Sequence, residues 1–238
     1  MRRSLHRAAI ALVALGLFAG LVALGSWQVQ RRTWKLDLIE RVDARARAPV
    51  VSAPTWESWP QISAARDEYR HVQLAGEYAT GADTFVQALT ERGAGFWVLT
   101  PLKLAGGGVV LINRGFVPPE LRSRVLAVTG PTSVTGLLRP TEPGGGFLRR
   151  NEPSTNRWFS RDVQAIAIAR GLANAGPYFI DADAHAGPAL ADAPIGGLTV
   201  IAFSNNHLVY AITWYTLALM VAAGAWRLMR EEQRAENA

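Results

Sequence analysis

Two long uncharged runs at opposite ends constrain this chain more than any other feature. No Asp, Glu, Lys or Arg occurs from Ala8 to Gln30 or from Leu208 to Trp226. As helices of about 23 and about 19 residues they would reach ~35 and ~29 Å, against ~30 Å for the hydrocarbon core of a bilayer. Both read as membrane-spanning helices. Asn205 and Asn206 are placed to cap the second, with His207 at its mouth and Trp226, Arg227 and Arg230 at its exit. The expected organisation is a tail over 1–7, a span over 8–30, an outer domain over 31–206, a span over 207–226 and a tail over 227–238. A cleaved signal peptide competes for the first run, since Arg2, Arg3 and Arg7 resemble an n-region and Ala23-Leu24-Gly25 a small-x-small site. The run is longer than an ordinary signal core and ends on Trp27, an interfacial anchor, which favours a retained span. Gly16 with Gly20, and Ala218 with Ala222, predict a hairpin of the two spans packed through small residues.

The flanking charges set the orientation. Arg2, Arg3 and Arg7 on one side of the first span face Arg31, Arg32 and Lys35 on the other, so that span is indifferent. The second decides: no Lys or Arg lies between Gly171 and His207, while Arg227, Arg230 and Arg234 crowd its far end. The positive-inside rule puts both termini in the cytoplasm and the central domain in the periplasm or its mitochondrial equivalent. A handful of residues ahead of the first span leaves no room for a transit peptide, which favours a bacterial plasma (inner) membrane. The basic excess, 25 Lys+Arg against 19 Asp+Glu for a net +6, largely flanks these spans, so it indicates lipid contact and no nucleic acid. Cysteine is absent, which excludes disulfides, thiolate metal sites and covalent c-type haem.

Gln28 to Arg47 continues the first helix beyond the membrane, with Trp27, Trp34, Leu38 and Val42 on one face, until Pro49 and Pro54 end it. Trp56 and Trp59 follow in a loop, either as packing anchors or as a patch for a partner. From Arg70 onward the chain alternates short β-forming runs with turn residues. His71–Tyr78, Thr84–Leu89, Phe96–Leu104, Val109–Asn113, Ser133–Leu138, Tyr178–Ile180 and Leu198–Phe203 read as strands, with Glu91-Arg92-Gly93 and Gly106-Gly107-Gly108 as hairpin turns. One helix interrupts them, opened by Asp162 and stopped by Gly171. The fold class is a membrane protein: two transmembrane α-helices flanking a mostly β, α+β, antiparallel extracytoplasmic domain.

No nucleophile elbow, H-E-x-x-H or P-loop occurs, and the glycines of Pro143-Gly144-Gly145-Gly146-Phe147 lack the Lys-Ser/Thr of a phosphate cradle. Asp181, Asp183 and His185 alternate, so an extended chain would point two carboxylates and an imidazole to one side, although such residues also cap turns. Arg114, in Asn113-Arg114-Gly115-Phe116-Val117-Pro118-Pro119, either pairs with an anionic group of a cofactor or partner or forms a structural ion pair. His207 is the strongest single candidate. A helix N-terminus disfavours an imidazolium, and Tyr210 and Trp214 follow on the same face. A porphyrin could rest there with the imidazole as axial ligand; the alternative is an interfacial His bonded to loop backbone.

Four stretches together resemble the Surfeit locus protein 1 family of cytochrome c oxidase assembly factors. They are Gly25-Ser26-Trp27-Gln28-Val29-Gln30-Arg31-Arg32-Thr33-Trp34-Lys35, Gly95-Phe96-Trp97-Val98-Leu99-Thr100-Pro101, Val110-Leu111-Ile112-Asn113-Arg114-Gly115-Phe116-Val117-Pro118 and Asn206-His207-Leu208-Val209-Tyr210-Ala211-Ile212-Thr213-Trp214-Tyr215. The resemblance covers nearly the whole chain in order. It implies a non-catalytic chaperone that helps place haem a, or a related haem, into the main subunit of the oxidase. The implied partners are cytochrome c oxidase subunit I, other oxidase assembly factors and the lipid bilayer. His207 matches the position usually suggested as haem ligand, and Arg114-Gly115 matches the family's Arg-Gly, with Phe116 where many members carry Trp. The alternatives are a membrane-anchored metal-dependent enzyme using Asp181, Asp183 and His185, and a haem-free docking protein of the assembly complex.

Overall fold

A computed structural model of the chain describes residues 2–146, 148–185, 192–199, 201, 203 and 205–236. In chain order its first elements are the helix α1 (Arg2–Ala46), β1 (Val51–Ser52), a short helix α2 (Ala64–Asp67), β2 (His71–Tyr78), β3 (Thr84–Thr90) and β4 (Gly93–Leu104). There follow β5 (Val109–Val117), β6 (Pro131–Pro140), the pair β7 (Gly145–Gly146) and β8 (Arg149–Arg150), α3 (Val163–Ala169), β9 (Ala175–Ala182) and α4 (His207–Glu236). The chain divides into two compact units, Met1–Arg41 with Ala202–Ala238, and Val42–Ile201.

The first unit is a helix pair. Within α1 and α4, Ala8–Ala46 and His207–Glu231 are long and apolar enough to cross a membrane, and only 6% and 11% of their most apolar windows are buried. A core helix of a soluble protein hides its apolar side chains; Leu12, Leu15, Leu219 and Met220 are instead more than 60% exposed, as lipid-facing residues must be. The helices meet through residues other than the expected small-residue motif. Gly16 and Gly20 have nothing within 4 Å of where a side chain would begin, whereas a Cβ on Gly25 would fall 2.7 Å from the Tyr215 ring. On α4, Ala211 and Ala218 are buried and Ala222 is exposed, so the packed face follows a seven-residue rather than a four-residue spacing. Ser26 Oγ donates to Val22 O at 2.9 Å, which leaves the Tyr215 hydroxyl to donate to Ser26 Oγ at 3.1 Å.

The second unit is a barrel. Its seven-stranded sheet runs β1-β2-β6-β9-β5-β4-β3, and an additional β2–β4 pairing closes five of these strands into a ring. The ring pairs are antiparallel except β5–β9, and β1 joins β2 in parallel at the margin. The ring order β2-β4-β5-β9-β6 with one parallel pair is the arrangement of an OB-type Greek-key barrel. Strand alternation sends one set of side chains inward and the other outward. Val72, Leu74, Leu102, Val110, Ile112, Val134, Leu138, Tyr178 and Ile180 form one buried cluster. The opposite set from β4, β5 and β9 (Leu99, Leu111, Phe179) packs with Val86, Trp158, Val163 and Ile166 in a second. Each such burial stabilises the fold by roughly 1.5–3 kcal/mol before chain entropy is counted.

Local sequence explains most of these elements. Asp162 Oδ1 accepts from Ala165 N at 3.1 Å and starts α3; Gly171 at φ +64° ends it. The β3–β4 and β4–β5 turns use Gly93, Gly107 and Gly108, all at positive φ. β5 runs on through Val117 because Leu99 pairs with Asn113 while Trp97 pairs with Phe116, so Arg114 and Gly115 together oppose Val98 in a bulge. Leu198, Thr199, Ile201 and Phe203 carry no strand, and residues 200 and 202 of that expected strand lie outside the described residues. Gly197 turns at φ +71° and bonds Ala182 O, and the Thr199 side chain is engaged with Asp181, so Gly197 to Thr199 lies against β9 instead of extending the ladder. Trp59 is a packing anchor: its indole lies against Gly108 and Gly176 and donates to Pro54 O at 3.2 Å, while Trp56 stays 58% exposed.

Candidate functional site

His207 is the first residue of α4 and is half-buried. Its Nδ1 lies 2.7 Å from Gln28 Oε1 of α1. An amide oxygen only accepts, so the ring proton sits on Nδ1 and the Nε2 lone pair is the one left for another group. One turn on, Tyr210 is 54% exposed, and its backbone N–H bonds Asn206 O; Trp214 is half-buried on the same side of the helix. Asn205 does not cap the helix with its side-chain oxygen, which is buried without a hydrogen-bond partner. Leu208, Val209 and Ile212 add exposed apolar surface around this first turn. The donor set is thus one oriented imidazole beside aromatic and aliphatic surface, which suits a planar apolar group bearing a metal.

Arg114 lies in the other unit, on the bulge of β5. Its side chain is only 8% exposed; Nη2 donates to Leu126 O at 2.7 Å, and Nη1, 3.8 Å from Asp83 Oδ2, makes no hydrogen bond. Burial holds its pKa below the ordinary arginine range, outweighing the opposite pull of the nearby Asp83 and Tyr78. Gly115 carries the bulge at φ +130°, and a Cβ there would fall 2.2 Å from Ile195 O. That close approach lets Phe116 and Ile195 exchange both backbone hydrogen bonds.

Asp181, Asp183 and His185 are not brought together. β9 ends at Ala182, so the alternation that would align them stops there. Asp181 is 3% exposed and accepts from Asn113 Nδ2 (2.7 Å), Arg161 Nη1 (3.0 Å), Arg139 Nη1 (3.2 Å) and Thr199 Oγ1 (2.9 Å). Asp183 pairs with His71 Nε2 at 2.7 Å, and His185 is exposed. Among the described residues no group of three metal-ligating side chains forms. The Asp181 network instead lines a cavity of about 490 Å³ with Tyr69, Trp97, Arg139, Arg161 and Thr199. Burial opposes the Arg161 charge, but Asp181 and Glu142 more than compensate and raise its pKa. Arg139 likewise lies between Glu68, Glu142 and Asp181, so the cations are already neutralised by carboxylates and the cluster ties β6, β9 and the approach to α3 together.

Sequence reasoning did not single out Gln28, Arg139, Arg161 or Glu142. Gln28 lies inside the Gly25–Lys35 stretch, which is where a residue facing His207 could have been sought.

The SURF1 family model matches residues 15–219. The chain belongs to the SURF1 family. Surfeit locus protein 1 of Homo sapiens is 35% identical over 217 residues, 82% of this chain and 69% of that protein. Surfeit locus protein 1 of Mus musculus is 34% identical over 215 residues, covering 82% and 67%. A SURF1-like protein of Monosiga brevicollis is 32% identical over 225 residues, covering 88% and 83%. The SURF1 match takes in α1 from Leu15, the whole barrel and α4 as far as Leu219, so Gln28, Arg114, His207, Tyr210 and Trp214 all fall within it.

Proposed function

We propose that this SURF1 family member is a membrane-bound assembly factor for cytochrome c oxidase that holds haem, of the a type or a related one, for insertion into oxidase subunit I. Membership of a family of oxidase assembly factors supports the coarser role. The observation that carries the haem reading is His207 at the head of an apolar helix, its Nδ1 held by Gln28 so that Nε2 carries the ring's lone pair. His207 would ligate the iron, and Tyr210 and Trp214 would lie against the macrocycle. Bound haem supplies one open coordination position to an imidazole; the protein contributes orientation and an apolar surface. A single protein ligand suits a cargo that must leave. Arg114, in the barrel, would be a contact for an anionic group of a partner. The charge flanks favour α4's C-terminus in the cytoplasm and the barrel in the periplasm.

The test replaces the gene with His207→Ala and measures haem a per oxidase in purified membranes. The expected result is a loss of several-fold in haem occupancy of subunit I at normal levels of the variant chain. Full occupancy with the variant would overturn the haem-holding role and leave a haem-free docking protein.

A further inference from the structure

We infer that Gln28 is the positioning residue that makes His207 a haem ligand, and that its amide sets how firmly the iron is held; this rests on His207 being that ligand. An imidazole on a helix can rotate about its side-chain torsions and can place its proton on either nitrogen. Two features remove that freedom here. Gln28 Oε1 lies 2.7 Å from His207 Nδ1, and being an acceptor only, it holds the proton there and leaves the Nε2 lone pair for the metal. Gln28 is itself fixed, because α1 and α4 are locked in register nearby. Gly25 admits the Tyr215 ring at a distance that no side chain would allow, and the Tyr215 hydroxyl meets Ser26 Oγ at 3.1 Å. Three and two residues further along α1, Gln28 is delivered to His207, eight residues before Tyr215 on α4.

The choice of an amide also has a chemical consequence. A carboxylate at this place would draw the Nδ1 proton, make the ring more basic and strengthen its bond to iron. The amide accepts the same hydrogen bond without a negative charge. It therefore orients the ring and fixes the tautomer without placing a negative charge beside it. A site that must bind haem and then surrender it needs this combination.

The test titrates ferric haem b into the full-length chain in detergent, follows the Soret band, and then measures the midpoint potential of the loaded protein. Gln28→Leu keeps the side chain's bulk and removes the acceptor; binding should weaken about 10- to 100-fold, the range for loss of such a partner. Gln28→Glu should tighten binding and lower the midpoint potential, a change that altered helix packing alone would not produce. Tyr215→Phe keeps the ring against Gly25 and removes only the hydroxyl's bond to Ser26, so it should weaken binding by much less than Gln28→Leu does. Unchanged affinity and potential in both Gln28 variants, with His207→Ala still losing haem, would overturn the role of Gln28 alone. Equal weakening by Tyr215→Phe and Gln28→Leu would also overturn it, by making Gln28 a packing residue. A wild-type chain that takes up no haem removes both this inference and the reading it rests on.

Discussion

Asp67 shows how single residues hold the barrel's edge. It is 1% exposed at the end of α2, where Oδ2 accepts from Ser63 N at 3.0 Å and Oδ1 from Arg70 Nη1 at 2.9 Å, with Arg66 beside it. Burial pushes its carboxyl up, but the Ser63 amide and the two arginines outweigh it and hold the pKa below the ordinary 3.8. A folded-state value below the unfolded one means that Asp67 stabilises the fold fully above the unfolded pKa. That contribution is lost as the pH falls through the folded value. Asp67→Asn should thus cost about 1–3 kcal/mol at neutral pH, seen as a lower melting temperature of the full chain in detergent. The gap between variant and wild type should close as the pH drops below 3.8. A gap that stays constant down to acid pH would assign the effect to packing instead of charge. Asp181 was legible only as one member of an alternating Asp-Ala-Asp-Ala-His run. Its cations come from Arg139 and Arg161, 42 and 20 residues away in sequence, and no local pattern reports such a pairing.

At the scale of elements, residues with local causes were readable. β2 follows from alternation, α3 from its Asp cap and Gly stop, and the hairpin turns from glycine. Elements defined by long-range partners were not. The β5 bulge depends on Val98 facing two residues, and Leu198 and Thr199, expected to open a strand, are diverted by the hydrogen bonds of Gly197 and Thr199. The helix pair makes the same point. Gly16 and Gly20 have the more familiar spacing, yet Gly25 makes the contact, because its position opposite Tyr215 is set by both helices together. Gly25→Leu should therefore separate α1 from α4 and lower the thermal stability of the helical far-ultraviolet signal in detergent. Gly16→Leu, with nothing within 4 Å, should leave it unchanged. Equal sensitivity at the two glycines would contradict this packing.

At the scale of the whole molecule, the chain couples a lipid-exposed helix pair to a closed Greek-key barrel within the SURF1 family. The two long uncharged runs made the two candidate spans legible, since helix length and apolar composition are local properties. Barrel closure was not, because it depends on β2 pairing with β4 as well as β6. The candidate residues are shared unevenly: Gln28, His207, Tyr210 and Trp214 belong to the helix pair and Arg114 to the barrel. The most direct measurement is the visible absorption spectrum of the detergent-purified chain, coexpressed with haem a synthesis, beside His207→Ala. A Soret band in the wild type that is largely lost in the variant is the result predicted for a haem-holding assembly factor ligating through His207. A colourless wild type under haem-replete conditions, or a band of equal strength in both proteins, would contradict it.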